Sequence, residues 1–254
     1  MKKIIAFDLD GTLSESKQPI SRNMAQLLAS LLWSYEVCII SGGAFKQFGQ
    51  QVIQQLNREN DLGDKLLERL HIMPTCGSQY FRYNSTSEKF EKVYLYDFSV
   101  DEKDAIIDGI QATIDELGFR ETETFGEIIE DRGSQITFSA LGQEAPIEKK
   151  QAWDANGTKK KQLRDSLAEK FPCYEVKTGG STSVDITMHG IDKAFGMYEL
   201  MKYTRTLKRE ILFIGDQLQY GGNDNPVDIM GIDCIQVSNP HDTEMIIQTI
   251  KALY

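Results

Sequence analysis

The sequence has no apolar run near the roughly 18–20 residues that cross a bilayer, so no membrane-spanning segment and no membrane partner is expected. Cysteine is scarce. The four in 254 residues, Cys38, Cys76, Cys173 and Cys234, form no CxxC pair. That argues against a disulfide framework or a cysteine-built zinc site and fits reduced thiols in a cytoplasmic protein. The three histidines, His71, His189 and His241, share no metal-ligand spacing, and each is expected at the surface or in a turn. Basic residues are outnumbered, 28 Lys and Arg against 38 Asp and Glu, for a formal charge of −10. This excess weighs against nonspecific binding to nucleic acid or to anionic membranes. A phosphate substrate stays open, because local cations decide that. The two lysines near the start are followed by acidic residues rather than a long apolar stretch, which is not a signal-peptide pattern. Repeats and low-complexity segments are also missing.

What is present is a globular composition, 41% hydrophobic and 26% charged, organised around its opening stretch. Residues 4–7, Ile-Ile-Ala-Phe, read as a buried strand that ends in Asp8-Leu9-Asp10-Gly11-Thr12. Carboxylates spaced i, i+2 on a strand share a face and would repel in a partly buried site. The pair therefore implies a cation or a reacting group beside it. Ser21 is a plausible helix N-cap, followed by the apolar stripe Met24, Leu27, Leu28, Leu31 and Leu32. Residues 37–40 form a second buried strand that closes in Ser41-Gly42-Gly43, and a helix begins near Ala44. The hydroxyl of Ser41 and the amide of Gly42, at a helix start, suit a phosphoryl oxygen. Strand–helix–strand–helix is the pattern of a doubly wound parallel sheet, which binds ligands at the carboxyl ends of its strands.

The chain turns polar between about 84 and 87 and then reads as α+β with antiparallel hairpins. It has a helix over 106–117, a hairpin over 128–139, a second helix over 159–171, and two strands over 173–177 and 183–187. The first pattern resumes with Lys193 at a helix start and a strand over 210–214 ending in Gly215-Asp216. A loop carrying Gly221-Gly222-Asn223-Asp224, a last strand over 232–237, and a closing helix capped by Asp242 follow. The apolar face of that helix runs through Met245, Ile246, Ile250 and Leu253. The expected architecture is α/β: a doubly wound, Rossmann-like core over 1–83 and 188–254 with an inserted α+β cap over 84–187.

The ordered set DLDGT, Ser41, Lys193 and GDQLQYGGND resembles the motifs of the haloacid dehalogenase superfamily. The insertion between the serine and the lysine resembles its branch with a large α/β cap. The stretches FDLDGTL, SGGAFKQF, GGSTSVDITMHGIDK and FIGDQLQYGGND are most similar to eukaryotic-type phosphomannomutases. The resemblance implies Asp8 as nucleophile and Asp10 as general acid and base. Leu9, Ser41, Gly42 and Lys193 are the implied phosphate-binding residues. It also implies Mg²⁺, held by Asp8, the backbone carbonyl of Asp10 and Asp216, with Asp224 and Asn223 in support. In the cap, Arg132, Gly180, Ser183 and Asp185 match residues that hold the non-reacting end of a sugar phosphate. The match departs from the family where Gln143 stands in place of an expected arginine and Lys149 and Lys150 stand near another. Glutamine does not reproduce a bidentate arginine clamp, and lysine does so only in part. The expected function is therefore a Mg²⁺-dependent phosphatase for a small phosphorylated sugar or polyol, with a phosphomannomutase on the same site as the alternative. A non-catalytic binding protein is the reading from a different class, and a homodimer through the cap is the partner the resemblance allows.

Overall fold

The computed structural model describes residues 1–58 and 63–252. The chain divides into two compact units, Met1–Leu95 with Ile191–Tyr254, and Tyr96–Gly190.

The first unit opens with β1 (Ile4–Phe7), four residues that are all buried. Helix α1 (Arg22–Leu31) starts where Ser21 accepts the amide of Met24 at 3.0 Å, and its Met24, Leu27, Leu28 and Leu31 are buried as their spacing requires. Next come β2 (Glu36–Ile40) and α2 (Phe45–Phe48). That helix runs on through a π-turn, Gly49–Ile53, into a last turn, α3 (Gln54–Leu56). Helix α4 (Asp64–Leu67) leads into β3 (Leu70–Met73), followed by β4 (Gln79–Asn84) and β5 (Lys89–Leu95).

The seven-stranded sheet has the order β11-β10-β1-β2-β3-β4-β5 once the C-terminal strands β10 (Ile211–Gly215) and β11 (Asp233–Gln236) are added. The strands from β11 to β3 run parallel, whereas β4 and β5 are antiparallel additions at one edge. Alternation along β1 explains the two-sided core. Ile5 and Phe7 pack with Val37, Ile39 and the stripe of α1, while Ile4 and Ala6 pack with Cys38, Ile40 and Phe213 on the other face.

The sequence pattern predicts the unit boundary at 84. In the structure it falls after Leu95, because the polar residues at 85–88 are the turn of a hairpin and β5 pairs with β4. His71 also departs from expectation. It is fully buried on β3, where its two ring nitrogens meet Tyr80 Oη at 2.7 Å and Glu36 Oε2 at 2.9 Å. A buried imidazole with both nitrogens satisfied needs no surface.

The second unit begins with α5 (Val100–Glu116), six residues earlier than the apolar spacing alone predicts. A reciprocal capping box starts it: Ser99 Oγ accepts the amide of Glu102 at 3.3 Å, and Glu102 accepts the amide of Ser99 at 2.8 Å. Strands β6 (Ile129–Asp131) and β7 (Gln135–Ser139), helices α6 (Ile147–Trp153) and α7 (Thr158–Lys170), and strands β8 (Tyr174–Thr178) and β9 (Ser183–Met188) complete it. Its antiparallel sheet has the order β6-β7-β9-β8. Ile136, Phe138, Val184 and Ile186 cover one face and pack on Ile106, Ile110, Leu163 and Leu167. The alternate residues Gln135, Thr137, Ser139, Ser183, Asp185 and Thr187 make the other face polar.

The chain then returns to the first unit through α8 (Lys193–Thr204), β10, α9 (Asn225–Ile229), β11 and α10 (Pro240–Ala252). Asp242 is not the cap of α10. Asn239 Oδ1 accepts the amide of Asp242 at 3.1 Å and Pro240 occupies the first helical position, so Asn239 does the capping. Of the apolar face expected on this helix, Leu253 lies outside the described residues. Among the described residues no helix is long and apolar enough to cross a membrane.

Candidate active site

Three neighbouring parallel strands deliver the site at their carboxyl ends. Asp8 follows β1, Ser41 follows β2 and Asp216 follows β10. β1 and β10 flank the point where the strand order reverses, the place where open α/β sheets form a crevice.

Lys193 lies at the first position of α8, capped by Asp192, whose carboxylate accepts the amide of Phe195 at 2.9 Å. Its side chain is fully buried and its Nζ donates to Asp8 Oδ1 and to Asp224 Oδ1, each at 2.5 Å. Asp224 is held from its other oxygen by the amide of Gln217 at 3.0 Å. Asp8, Asp216 and Asp224 form one group, with a carboxylate oxygen from each lying within 4.8 Å of the other two.

The electrostatics of this group follow from burial. Desolvation pushes the Asp8 carboxyl up to about 7; Lys193 draws it back, and Asp224 adds to the rise. Burial works against the Lys193 ammonium, but Asp8 and Asp224 outweigh it and hold the lysine charged, well above its ordinary range. Asp216 is raised by desolvation and then by Asp224. One ammonium faces three carboxylates, which leaves an excess of negative charge in a poorly solvated place. An all-oxygen set of this kind suits a hard divalent cation, so the residues present fit a metal of that class.

Gly11 shows how tightly the site is built. Its φ is +88°, and a Cβ there would stand 2.6 Å from Asp216 Oδ2. Glycine alone meets both demands.

Asp10, expected beside Asp8, is not in the carboxylate group. Its Oδ1 accepts the amide of Lys17 at 2.7 Å and Gln51 Nε2 at 3.1 Å, and its Oδ2 accepts Gln47 Nε2 at 2.9 Å. Any share of Asp10 in holding a metal therefore falls to its backbone. Leu9 is fully buried, and its carbonyl accepts the amides of Leu13 and Ser14. Ser41 is buried and its Oγ accepts the amide of Gly43 at 3.3 Å, beside Gly42. Asn223 is exposed, next to the buried Asp224.

Of the residues expected in the cap, Ser183 and Asp185 lie on the polar face of the second sheet, Arg132 in the turn between β6 and β7, and Gly180 in the turn between β8 and β9. Thr137 pairs with Asp185 and with Glu130, and its Oγ donates to Asp185 Oδ1 at 2.7 Å. The Asp185 carboxyl is raised by desolvation, with Arg132 pulling the other way. Arg132 itself is bound to Glu130, at 2.9 Å through Nε. Gly180 accepts Lys160 Nζ at 3.0 Å through its carbonyl, and Ser183 opens β9, its carbonyl accepting the amide of Gly179 at 2.8 Å. Glu130, Gln135 and Thr137 were missed in the sequence; strand alternation on 135–139 is the signal that places the latter two beside Asp185. Gln47 and Gln51 were missed too, and their i, i+4 spacing was the available sign.

The sequence profile described as eukaryotic phosphomannomutase matches residues 24–253. A phosphomannomutase of Encephalitozoon cuniculi is 28% identical, covering 95% of this chain and 91% of its own. One from Saccharomyces cerevisiae is 25% identical, covering 87% and 83%. Among solved structures, a haloacid dehalogenase-like hydrolase from Bacteroides thetaiotaomicron superposes with a TM-score of 0.65 at 16% identity, covering all of both chains. An IMP-nucleotidase from Plasmodium falciparum gives 0.67 at 16% identity over 99% of this chain and 68% of its own. These structures share the fold of the haloacid dehalogenase superfamily with this chain.

Proposed function

Because the chain belongs to the eukaryotic phosphomannomutase family, we propose that it moves a phosphoryl group between the 1- and 6-positions of a hexose phosphate. The observation that carries this reading is the extent of the family match, which runs from 24 to 253 and so takes in the whole cap and the core from 24 onward.

Asp8 attacks phosphorus, so the Asp8 oxygen–phosphorus bond forms as the bond to the sugar oxygen breaks. Asp10 donates a proton to the departing oxygen, and takes one back from the hydroxyl that then attacks the aspartyl-phosphate. Lys193 balances the charge of the nucleophile before transfer, and with Ser41 and Gly42 steadies the phosphoryl oxygens during it. Asp8, Asp216 and Asp224, with the backbone of Asp10, are the residues that would hold Mg²⁺. That ion would supply charge neutralisation at the phosphoryl group. Arg132, Gly180, Ser183 and Asp185 are assigned to the part of the sugar phosphate that does not react.

One observation favours a second reading, hydrolysis of a sugar phosphate. A mutase must hold two phosphates. Gln143 replaces an expected arginine, and the nearby lysines already have protein partners: Lys149 binds Glu123 at 2.9 Å and Lys150 binds the Gln143 carbonyl at 2.9 Å.

The test is a coupled assay of hexose 1-phosphate to 6-phosphate conversion with Mg²⁺ and a catalytic amount of hexose bisphosphate, run beside a phosphate-release assay. The mutase reading expects bisphosphate-stimulated isomerisation that exceeds phosphate release. Release without isomerisation would leave the hydrolase. Turnover unchanged in Asp8→Asn would remove both.

A further inference from the structure

We propose that Gln47 and Gln51 are positioning residues for the proton donor Asp10, and that Gly43 is glycine so that Gln47 can reach it. The inference rests on the reading of Asp10 as the general acid.

Asp10 has three donors on its carboxylate: the Lys17 amide and the side-chain amides of Gln47 and Gln51. The two glutamines come from one helical segment, four residues apart, with the π-turn Gly49–Ile53 enclosing Gln51. A π-turn inside a helix is uncommon and tends to mark a functional position.

Gln51 is buried at 3% exposure. Its Nε2 is shared among Asp10, Ser14 Oγ at 3.2 Å and the Gln18 carbonyl at 2.8 Å. Its Oε1 is buried and accepts no hydrogen bond among the described residues. The amide is thus held from its donor side alone, and that side is turned to Asp10, Ser14 and the Gln18 carbonyl. An orphaned buried acceptor is unfavourable, so this orientation is imposed by what the donor side binds.

Gly43 supplies an independent sign. A Cβ built there would lie 2.1 Å from Gln47 Oε1 and 2.7 Å from its Cδ. The backbone of Gly43 has no positive φ, so alanine fits the chain there and would act by displacing the Gln47 amide. The second glycine of the Ser41-Gly42-Gly43 turn is therefore tied to Asp10 through Gln47.

In the first half-reaction the Asp10 proton goes to the leaving sugar oxygen as the Asp8–phosphorus bond forms. An alkoxide leaving group needs that proton; p-nitrophenolate leaves without it. Positioning of Asp10 must then matter for one substrate and not for the other.

The experiment follows single-turnover phosphorylation of the full chain with Mg²⁺, enzyme in excess, using glucose 1-phosphate and p-nitrophenyl phosphate. The variants are Gln47→Met, Gln51→Met and Gly43→Ala, with Asp10→Asn as reference and circular dichroism to confirm folding. General acid catalysis is worth about 10²–10⁴ in rate, and misplacing the acid forfeits part of it. Gln47→Met and Gly43→Ala are expected to slow the sugar phosphate about tenfold and the p-nitrophenolate burst less than about twofold, with Gln51→Met slowing the sugar phosphate as much or more. Equal losses on both substrates, or no loss on either, would overturn the proposal while Asp10→Asn kept its selectivity. If Asp10→Asn itself showed no selectivity, the acid assignment and this inference would fall together, leaving Asp8 as nucleophile untouched.

Discussion

Replacing Lys193 with methionine is the sharpest test of the electrostatics at the site. The stem length is kept and the charge is removed. Lys193 is fully buried and its ammonium lies 2.5 Å from both Asp8 and Asp224. Breaking a buried pair by deleting one partner costs about 3–5 kcal/mol, because the other charge stays buried. For a chain of this size that corresponds to a fall in Tm on the order of 10 °C. The loss should grow with pH. Burial already pushes the Asp8 carboxyl up to about 7, with Lys193 pulling it down, against 3.8 for an ordinary carboxyl. Without the lysine its folded pKa lies higher still. A carboxyl raised in the folded state stabilises at low pH, and that contribution is lost as pH rises through the folded value. The gap between wild type and variant should therefore be wider at pH 8 than at pH 6. The assay is thermal unfolding at both pH values with a chelator present, so that only the protein's own charges act, together with turnover in Mg²⁺. A variant within about 1 °C of wild type at pH 8, or one that keeps its turnover, would refute the reasoning.

Three further outcomes are expected. Gly11→Ala forces a side chain to φ +88° and against Asp216, so it should cost about 1–3 kcal/mol and raise the Mg²⁺ concentration needed for half-maximal activity; unchanged Mg²⁺ dependence would count against Asp216 as a ligand. The share of stability that the His71–Glu36 contact contributes should fall on acidification. Burial lowers the pKa of His71, and the hydrogen bond from His71 lowers that of Glu36, so the contact is one between a neutral imidazole and a carboxylate. The folded protein binds both protons less tightly than the unfolded chain, so this stability is present above about pH 6.5. The His71 share is lost as pH drops below that value and the Glu36 share below 4.5. His71→Gln should flatten the first phase in a urea-unfolding series across pH, and an unaltered profile would discard the assignment. Ser99→Ala removes one half of the capping box and should cost about 1 kcal/mol of the second unit's stability without changing single-turnover chemistry.

The two kinds of residue were not equally legible. Asp8, Ser41, Lys193 and Asp216 could be read because each closes a strand or opens a helix whose apolar pattern is unmistakable. A parallel sheet puts such ends on one edge whatever the loops do. Arg132 and Asp185 could be read from the stretches around them, but their shared face with Glu130 needed the register of β6, β7 and β9. His71 was misplaced because a histidine in a strand gives no sign of its partners; Tyr80 and Glu36 reach it from neighbouring strands. The polar hairpin turn at 85–88 has the look of a unit boundary, since a turn within a sheet and a turn between units look alike in sequence.

The chain order alone determined which groups are available here: two aspartates two residues apart, a serine, a lysine and two more carboxylates at the ends of a doubly wound sheet. Period and spacing are local properties, and local sequence carries them. The tertiary structure decided which of those groups meet. It put Lys193 between Asp8 and Asp224, 185 and 31 residues away in the chain, and turned Asp10 aside onto Gln47 and Gln51. Side-chain direction depends on which neighbours fill the space and which donors remain unpaired. Those quantities exist only once distant segments have packed.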